Sequence, residues 1–373
     1  MKLLLSFFLV VAVAAVEISE DLAEWGLREH FKQFETSFLK KYENFEEREH
    51  RFQVFVKNLE RVVEKNKVLA EKSRDEIHGV TKFSDWTDEE FATMVGGFKK
   101  NDAPVMIQNA TVAVPTIKKN VPLSLDWRTK GVISPVKDQK QCGSCWAHSA
   151  VEAIESRVAM AGGPLIPLSV QQVTSCDTQD LGCNGGNYNT AWMTYGDGLV
   201  TEEDYPYDTL TAAGHATACD ASKIKDIVPG TKVASYNWAT NPCESFFCKK
   251  QDEDTLVKNL VSFGPLSIAV DASEWSSYTG GILTTDSCNN GALRLDHAVQ
   301  LVGYNFETPG QEYFIVKNSW NTDWGYDGYI HLKAGDNTCG FADQPAFVTV
   351  QENLNKVDRP NINIRNGLQA QQK

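Results

Sequence analysis

Nine cysteines, at positions 142, 145, 176, 183, 219, 243, 248, 288 and 339, constrain this chain more than any other feature. None lies before position 142. The number is odd, so at least one thiol is left over if the others pair, and a leftover thiol in an oxidising compartment needs an explanation. Metal binding is the other common use of clustered cysteines. No CxxC…CxxC or CxxC…HxxxH spacing occurs, so no metal site is indicated.

The amino terminus points to such a compartment. Residues 1–15 of MKLLLSFFLVVAVAAVE have a single basic residue, Lys2, and then an apolar run from Leu3 to Ala15. That run is too short to cross a ~30 Å hydrocarbon core comfortably. Small residues place signal-peptide cleavage near Ala15, although a short membrane anchor is the alternative. No later segment reaches membrane length, so the mature protein is expected to be soluble, without stable membrane insertion. A secretory leader implies that disulfides persist. The destination is then lysosomal or vacuolar, or extracellular.

A hydrophobic share of 42%, with 9 Trp and 18 Phe, is enough for substantial cores. The formal charge of −13 argues against a nucleic-acid partner, because no basic excess is available to neutralise phosphates.

Residues 20–70 read as charged amphipathic helices. Phe31, Phe34, Phe38 and Tyr42 recur at spacings of three and four, and so do Phe52, Phe55, Leu59 and Val62. Two such helices are expected to lack a core of their own and to pack on something else. Residues 99–120 lose the periodicity and read as an extended linker, a natural place for proteolysis. It contains the chain's one N-glycosylation sequon, at Asn109. From Val121 the texture changes to Trp, Gly and Cys. Ser144 precedes a helical run, and Ser169 with Gln172 forms a helix-capping signal. Beyond about 230 the segments GPLSIAVDA, LDHAVQLVGY, EYFIVKNSW and GYIHLKA read as strands. Two of them flank Pro309-Gly310, so a hairpin is predicted. Helices first and strands later define an α+β protein with two halves. The polar tail, 351–373, shows no periodicity.

The chemistry centres on Cys145. A nucleophilic cysteine acts as the thiolate, so it needs a helix amino terminus or a cationic neighbour. Cys145 lies where the loop QKQCGS enters a helix. It also needs a base, and the base needs an orienting group. His297 opens a predicted strand and Asn318 ends the next one. A hairpin would bring the two together, with the Asn carbonyl accepting from the imidazole.

Cys142-Gly143-Ser144-Cys145-Trp146 matches the C-G-[SA]-C-[WY] signature. With GCNGG at 182–186, NSW…WG…GY at 318–329, and VPLSLDWRTKGVISPVKDQ from Val121, the chain resembles the papain-like cysteine peptidases of cathepsin L type. Upstream, Glu47, Arg51, Phe55, Asn58, Val62 and Asn66 resemble the ERFNIN pattern of that family's inhibitory propeptide. The resemblance runs from about residue 25 to 350.

It implies a papain-like two-domain fold. A helical half, about 121–230, faces a β-barrel-like half, about 231–350, behind a helical propeptide at 16–120. It implies Cys145 as nucleophile, His297 as base and acid, and Asn318 as orienter. The Gln139 amide and the Cys145 N–H would form the oxyanion hole. Trp320 would cover the His297–Asn318 contact, and Gly185 and Gly186 would run along the substrate backbone. A hydrophobic specificity pocket would be formed by Asn187, Tyr188, Ala269, Leu295, Ala298 and Gln344, with Asp343 beside its floor. The implied disulfides are Cys142–Cys183, Cys176–Cys219 and Cys288–Cys339. Cys243 and Cys248, in the insert NPCESFFCKK, are then left to pair with each other, outside the family pattern.

The implied activity is that of a cysteine endopeptidase made as an inactive zymogen. It would hydrolyse proteins and peptides through a thioester, be inhibited by its own propeptide, act as a monomer, and use no cofactor or metal. A catalytically dead peptidase-fold binding protein and another Cys-His acyl-transferase are the rivals. The chain departs from the family at His148, Asn321 and Thr81. His148 reads either as a buried, hydrogen-bonded helix residue or as a second titrating group. Asn321 stands where a glycine is usual and is expected to strain its turn. Histidines 30, 50, 78, 215 and 331 have no supporting motif and are expected to be surface or local structural residues.

Overall fold

The computed structural model describes residues 20–99, 110–117, 121–194, 196–243, 251–288, 291 and 294–351. The expected leader at 1–15, Asn109, Cys248 and the tail beyond Gln351 lie outside the described residues.

The described residues begin with two helices, α1 (Glu20–Ser37) and α2 (Phe45–Glu71). α2 starts where Asn44 accepts a hydrogen bond from the Glu47 N–H, with Glu46 and Glu47 favourably placed in the first turn. The expectation that this pair has no core of its own is corrected. Phe31, Phe34, Phe52 and Phe55 are at most 3% exposed and form a separate aromatic cluster. The ring centroids of Phe34 and Phe55 are 5.0 Å apart. Bulky aromatic side chains let two helices bury what aliphatic stripes of that length would not. The short strand β1 (Ile77–His78) and the helix α3 (Asp88–Val95) follow. Thr87 and Glu90 close a reciprocal capping box at the start of α3.

The rest of the chain runs β2 (Ser124–Asp126), α4 (Cys145–Met160), α5 (Val170–Cys176), α6 (Tyr188–Thr194), the one-turn α7 (Thr209–Ala212), β3 (Val233–Trp238), α8 (Glu253–Phe263) and β4 (Leu266–Val270). It ends with β5 (Tyr278–Gly280), β6 (Ile282–Leu283), β7 (His297–Asn305), β8 (Tyr313–Lys317), β9 (Tyr329–Lys333) and β10 (Ala346–Val350). Ser169 caps α5 through the Gln172 N–H, as its spacing indicates. Nearly all of α4 is buried. It packs on α5 and α6 at one side and on β4, β7 and β10 at the other. The amino end of α4 therefore stands at the junction of the two halves.

The main sheet runs β3-β10-β4-β7-β8-β9-β6, with β2 attached to β7. β7 and β8 form the predicted antiparallel hairpin. The half expected to be barrel-like is not a closed barrel among the described residues, since β3 and β6 at the sheet's ends are not paired with each other. β7 explains the shape. Its first half pairs with β4, whereas Gly303, Tyr304 and Asn305 pair with β2. One central strand thus changes neighbour along its length. It is buried at eight successive positions, which suits a strand covered on both faces.

Part of the presumed linker is also built into the sheet. The Ala113 N–H donates to the Trp238 carbonyl at 2.9 Å, and the Trp238 N–H donates to Thr111 at 3.1 Å. Residues 111–113 thereby cover the outer edge of β3, and an uncovered strand edge is a liability.

Candidate active site

Cys145 is the first residue of α4. The Ser144 side chain makes no cap and instead lies 2.7 Å from the Tyr207 hydroxyl. No side-chain cap therefore competes for the Cys145 N–H at this helix end. His297 opens β7 on the facing half, and Asn318 directly follows β8.

His297 Nε2 is 2.8 Å from Asn318 Oδ1. The Ser319 N–H also donates to Asn318 Oδ1, at 2.8 Å. A backbone N–H can only donate, so this contact fixes Oδ1 as the acceptor and places the imidazole proton on Nε2. Nδ1 is then the basic nitrogen, and it has no hydrogen-bond partner. Trp320 stacks on His297 with centroids 4.9 Å apart, and excludes water from the His297–Asn318 bond. Gln139 is held by Ser319, whose hydroxyl donates to its Oε1 at 2.7 Å. Its Nε2 donates to the Cys142 carbonyl at 3.0 Å and lies 3.4 Å from the Met94 carbonyl.

Met94 belongs to the amino-terminal segment, and the segment continues through the site. The Gly186 N–H donates to Gly97 and the Lys99 N–H to Gly186, each at 2.9 Å, in a parallel bridge. The Phe98 N–H donates to the Asp296 carbonyl at 2.9 Å. Gly185, at φ +111°, would place a Cβ 2.9 Å from the Gly97 carbonyl, so this approach needs glycine. Asn187 Nδ2 donates to the Lys99 carbonyl at 3.3 Å. The Phe98 ring stacks on Tyr188 at 5.6 Å and joins a buried cluster with Ala269, Leu295 and Ala298. The Gln344 carbonyl accepts from the Tyr188 hydroxyl. Asp343 lies beside Leu295, both close to Gly340. Its carboxylate accepts from Asn337 at 2.7 Å and from the Gly291 N–H at 2.8 Å. Upstream, Phe83 and Phe91 stack edge-on against Trp320, at 5.1 and 5.6 Å.

Both the thiol and the imidazole are buried, which favours their neutral forms. Burial pushes the Cys145 thiol up to about 12, and the nearby Asp296 pushes the same way. Burial lowers His297 to about 4, against the contrary pull of Asn318. Asp296 is itself raised to about 8, chiefly by burial.

Other departures resolve similarly. His148 is buried, with Nδ1 3.0 Å from the Ser144 carbonyl, and burial lowers it to about 3. It is therefore a neutral structural residue and not a second titrating group near neutral pH. Asn321 takes the left-handed conformation, φ +64°, that asparagine tolerates better than most residues. Thr81 donates to the Ser276 carbonyl at 2.5 Å.

Of the ERFNIN-like residues, Phe55 and Val62 are buried, and Arg51, Asn58 and Asn66 bond within the segment. Arg51 forms a two-bond pair with Glu90, at 2.6 and 2.7 Å. Asn58 donates to Ser84 and Trp86, and Asn66 exchanges hydrogen bonds with the His78 backbone. The acidic residues of this segment pair within it, as Glu49 does with Arg28 and Asp85 with Lys40. Across the boundary the signs are reversed. Lys65, Arg74 and Lys82 reach Glu274, Asp286 and Asp138. The expectation for His78 is also corrected, because it is 3% exposed and packs across that boundary. Sequence reasoning missed Met94, Gly97, Phe98, Glu76, His78 and Lys82; Gly-Gly-Phe directly after α3 was the available signal. Cys142–Cys183, Cys176–Cys219 and Cys288–Cys339 are bonded, and Cys145 is free. Cys243 is also disulfide-bonded.

A cysteine at a helix amino terminus, a histidine oriented by an asparagine, and a folded segment of the same chain lying across both define a thiol hydrolase in precursor form. The comparisons agree. A papain family cysteine protease model matches residues 121–349, and a cathepsin propeptide inhibitor domain (I29) model matches 31–91. A viral cathepsin of Adoxophyes honmai nucleopolyhedrovirus is 34% identical over 355 residues, covering 92% of this chain and 98% of that protein. Digestive cysteine proteinase 1 of Homarus americanus is 34% identical, covering 94% and 100%. Among solved structures, digestive procathepsin L2 proteinase from Tenebrio molitor larval midgut superposes with a TM-score of 0.73 at 30% identity, covering 87% and 99%. The chain belongs to the papain family of cysteine proteases and carries a cathepsin-type propeptide.

Proposed function

We propose that this chain is the zymogen of an endopeptidase in which Cys145, His297, Asn318 and Gln139 carry the chemistry. The observation that carries this reading is the passage of residues 94–99 over the Cys145 helix, from Gln139 to Gly186, with parallel polarity. A strand that enters at one end of a cleft and leaves at the other needs both ends open, which suits cleavage within chains. Its polarity is opposite to the antiparallel pairing expected of substrate, so it fills the cleft without presenting a cleavable bond.

Residues 16–120 leave on activation. Water then reaches the site, and the proton passes from Cys145 to His297. The thiolate attacks the substrate carbonyl, and the Gln139 amide and the Cys145 N–H take the developing oxyanion. Collapse breaks the C–N bond as His297 protonates the leaving amine. Water, deprotonated by His297, hydrolyses the thioester and frees the thiol. The Phe98 pocket takes a hydrophobic residue two positions before the cleaved bond. The leader at 1–15 directs the protein to the secretory pathway, for a lysosomal, vacuolar or extracellular site of action.

The test is to purify the full chain, incubate it at pH 7 and at pH 4–5, and follow its amino terminus, peptide hydrolysis and epoxide labelling of Cys145. Processing and labelling in acid, both lost in Cys145→Ala, are expected. Full activity of the uncut chain at pH 7 would overturn the zymogen reading, and unimpaired hydrolysis by Cys145→Ala the catalytic one.

A further inference from the structure

Away from the catalytic residues, the propeptide buries a carboxylate and an imidazole against the peptidase. β1 pairs antiparallel with β5, Ile77 opposite Gly280 and His78 opposite Tyr278. Glu76, just before β1, is 3% exposed. Its Oε2 accepts from the Thr284 N–H at 2.7 Å and from the Thr284 hydroxyl at 3.2 Å, and its Oε1 accepts from the Ser287 hydroxyl. His78 Nδ1 is 2.9 Å from Ser277 Oγ, and Nε2 is 3.6 Å from Glu76 Oε1. The His78 ring stands edge-on to Tyr278, 6.4 Å between centroids.

The charged groups around the pair come from both sides. Lys65 of α2 lies near the imidazole and is bound to Glu274 of the peptidase at 3.0 Å. Asp286, between Thr284 and Ser287 in sequence, is held by Arg74 at 2.7 Å and Lys72 at 3.6 Å.

We propose that Ser277, Thr284 and Ser287 form a docking slot on the peptidase for a carboxylate-x-imidazole strand, that Glu76 and His78 fill it in the precursor, and that proton uptake by this strand empties it in acid. The inference rests on the reading of residues 16–120 as the released inhibitor.

The sign follows from the surroundings. Burial lowers His78, and the positive charge of Lys65 adds to this, while Glu76 pulls the other way. For Glu76, burial works to raise the carboxyl, but the nearby His78 imidazole and the hydrogen bonds from Ser287 and Thr284 prevail and leave it lowered. In the released strand the two groups return to ordinary values of about 6.5 and 4.3. Each is more acidic when docked, so the docked state holds fewer protons and docking weakens as pH falls. The loss begins near pH 6.5 through His78 and is extended below about pH 4.3 through Glu76. Lysine–carboxylate pairs at the boundary lack the first of these windows.

Two variants of the full chain separate this from a merely structural role. His78→Gln keeps a polar side chain but cannot take up the proton, so the pH midpoint of self-processing should fall by about one unit. Glu76→Gln weakens the anchor and should raise the midpoint. In a Cys145→Ala background, hydrogen exchange at residues 77–79 reports the slot without catalysis. Protection lost below pH 6.5 in the His78 form and retained in His78→Gln supports the slot even if no hydrolysis is detected. Midpoints that both rise, or exchange with the same pH dependence in both forms, would overturn it.

Discussion

Lys82 Nζ lies 2.7 Å from Asp138 Oδ2, and Asp138 is the residue next to Gln139. The same ammonium donates to the Trp320 carbonyl at 3.1 Å. One propeptide side chain thus bridges the loop that holds Gln139 and the tryptophan that stacks on His297.

Lys82→Ala should raise the rate of precursor opening by roughly 5- to 30-fold, the effect of about 1–2 kcal/mol for a partly buried pair whose carboxylate keeps its second partner, Lys140. Asp138 is buried, which works to raise it, but Lys82 and Lys140 prevail and lower it. Its contribution is therefore present above the ordinary value of about 3.9 and lost only below it. Processing rates of the two precursors at pH 7 and pH 5 should differ by the same factor. A factor that changes strongly across that window would contradict the assignment.

Gly97→Ala should open the precursor while leaving the processed enzyme unchanged. A Cβ at Gly97 would lie 2.4 Å from the Gly143 carbonyl oxygen, a clash with backbone that cannot rotate away. Since Gly97 leaves with the propeptide, kcat/KM after processing should match wild type while processing starts at higher pH. An unchanged processing profile would show that the strand does not lie on Gly143 in solution.

Leu or Phe two positions before the cleaved bond should exceed Arg by tenfold or more, because Phe98 in the precursor shares its buried cluster with Tyr188, Ala269, Leu295 and Ala298. The Asp343 carboxylate, near Leu295, is already engaged by Asn337 and the Gly291 N–H. A peptide library with Arg above Leu would refute this.

Thiol alkylation should be slow before processing and fast after it. Burial pushes the Cys145 thiol up in the uncut precursor, so little of it is thiolate at pH 8. Iodoacetamide labelling of uncut and processed protein at that pH should differ by more than a hundredfold. Equal rates would mean that the segment does not seal the cleft.

Peptide mapping without reduction should find four bridges and one free thiol. Cys243 is bonded, and Cys248 is the one cysteine that the other pairs leave for it. A map with Cys243 and Cys248 both free would refute the fourth bridge.

The sequence by itself determined what local rules and motif order can carry. Helix periodicity placed α1 and α2, the Ser169–Gln172 spacing placed the start of α5, and the two strand-like runs flanking Pro309-Gly310 placed the β7–β8 hairpin. The order of Cys145, His297 and Asn318 indicated a nucleophile, a base and an orienter, because each role demands a particular functional group. Tertiary structure decided what depends on who covers whom. Whether two helices share a core depended on Phe31 meeting Phe55. Which strands flank β7 was decided by its exchange of β4 for β2 along its length. His78 and Lys82 carry no motif, and their roles come from partners about 200 residues away or, for Asp138, 56 away. Burial and pairing are properties of the assembled neighbourhood, and a one-dimensional pattern does not contain the distance between two side chains. The same cysteine that reads as a reactive nucleophile is, in the folded precursor, a neutral thiol under the chain's own residues 94–99, because desolvation acts through three-dimensional contact.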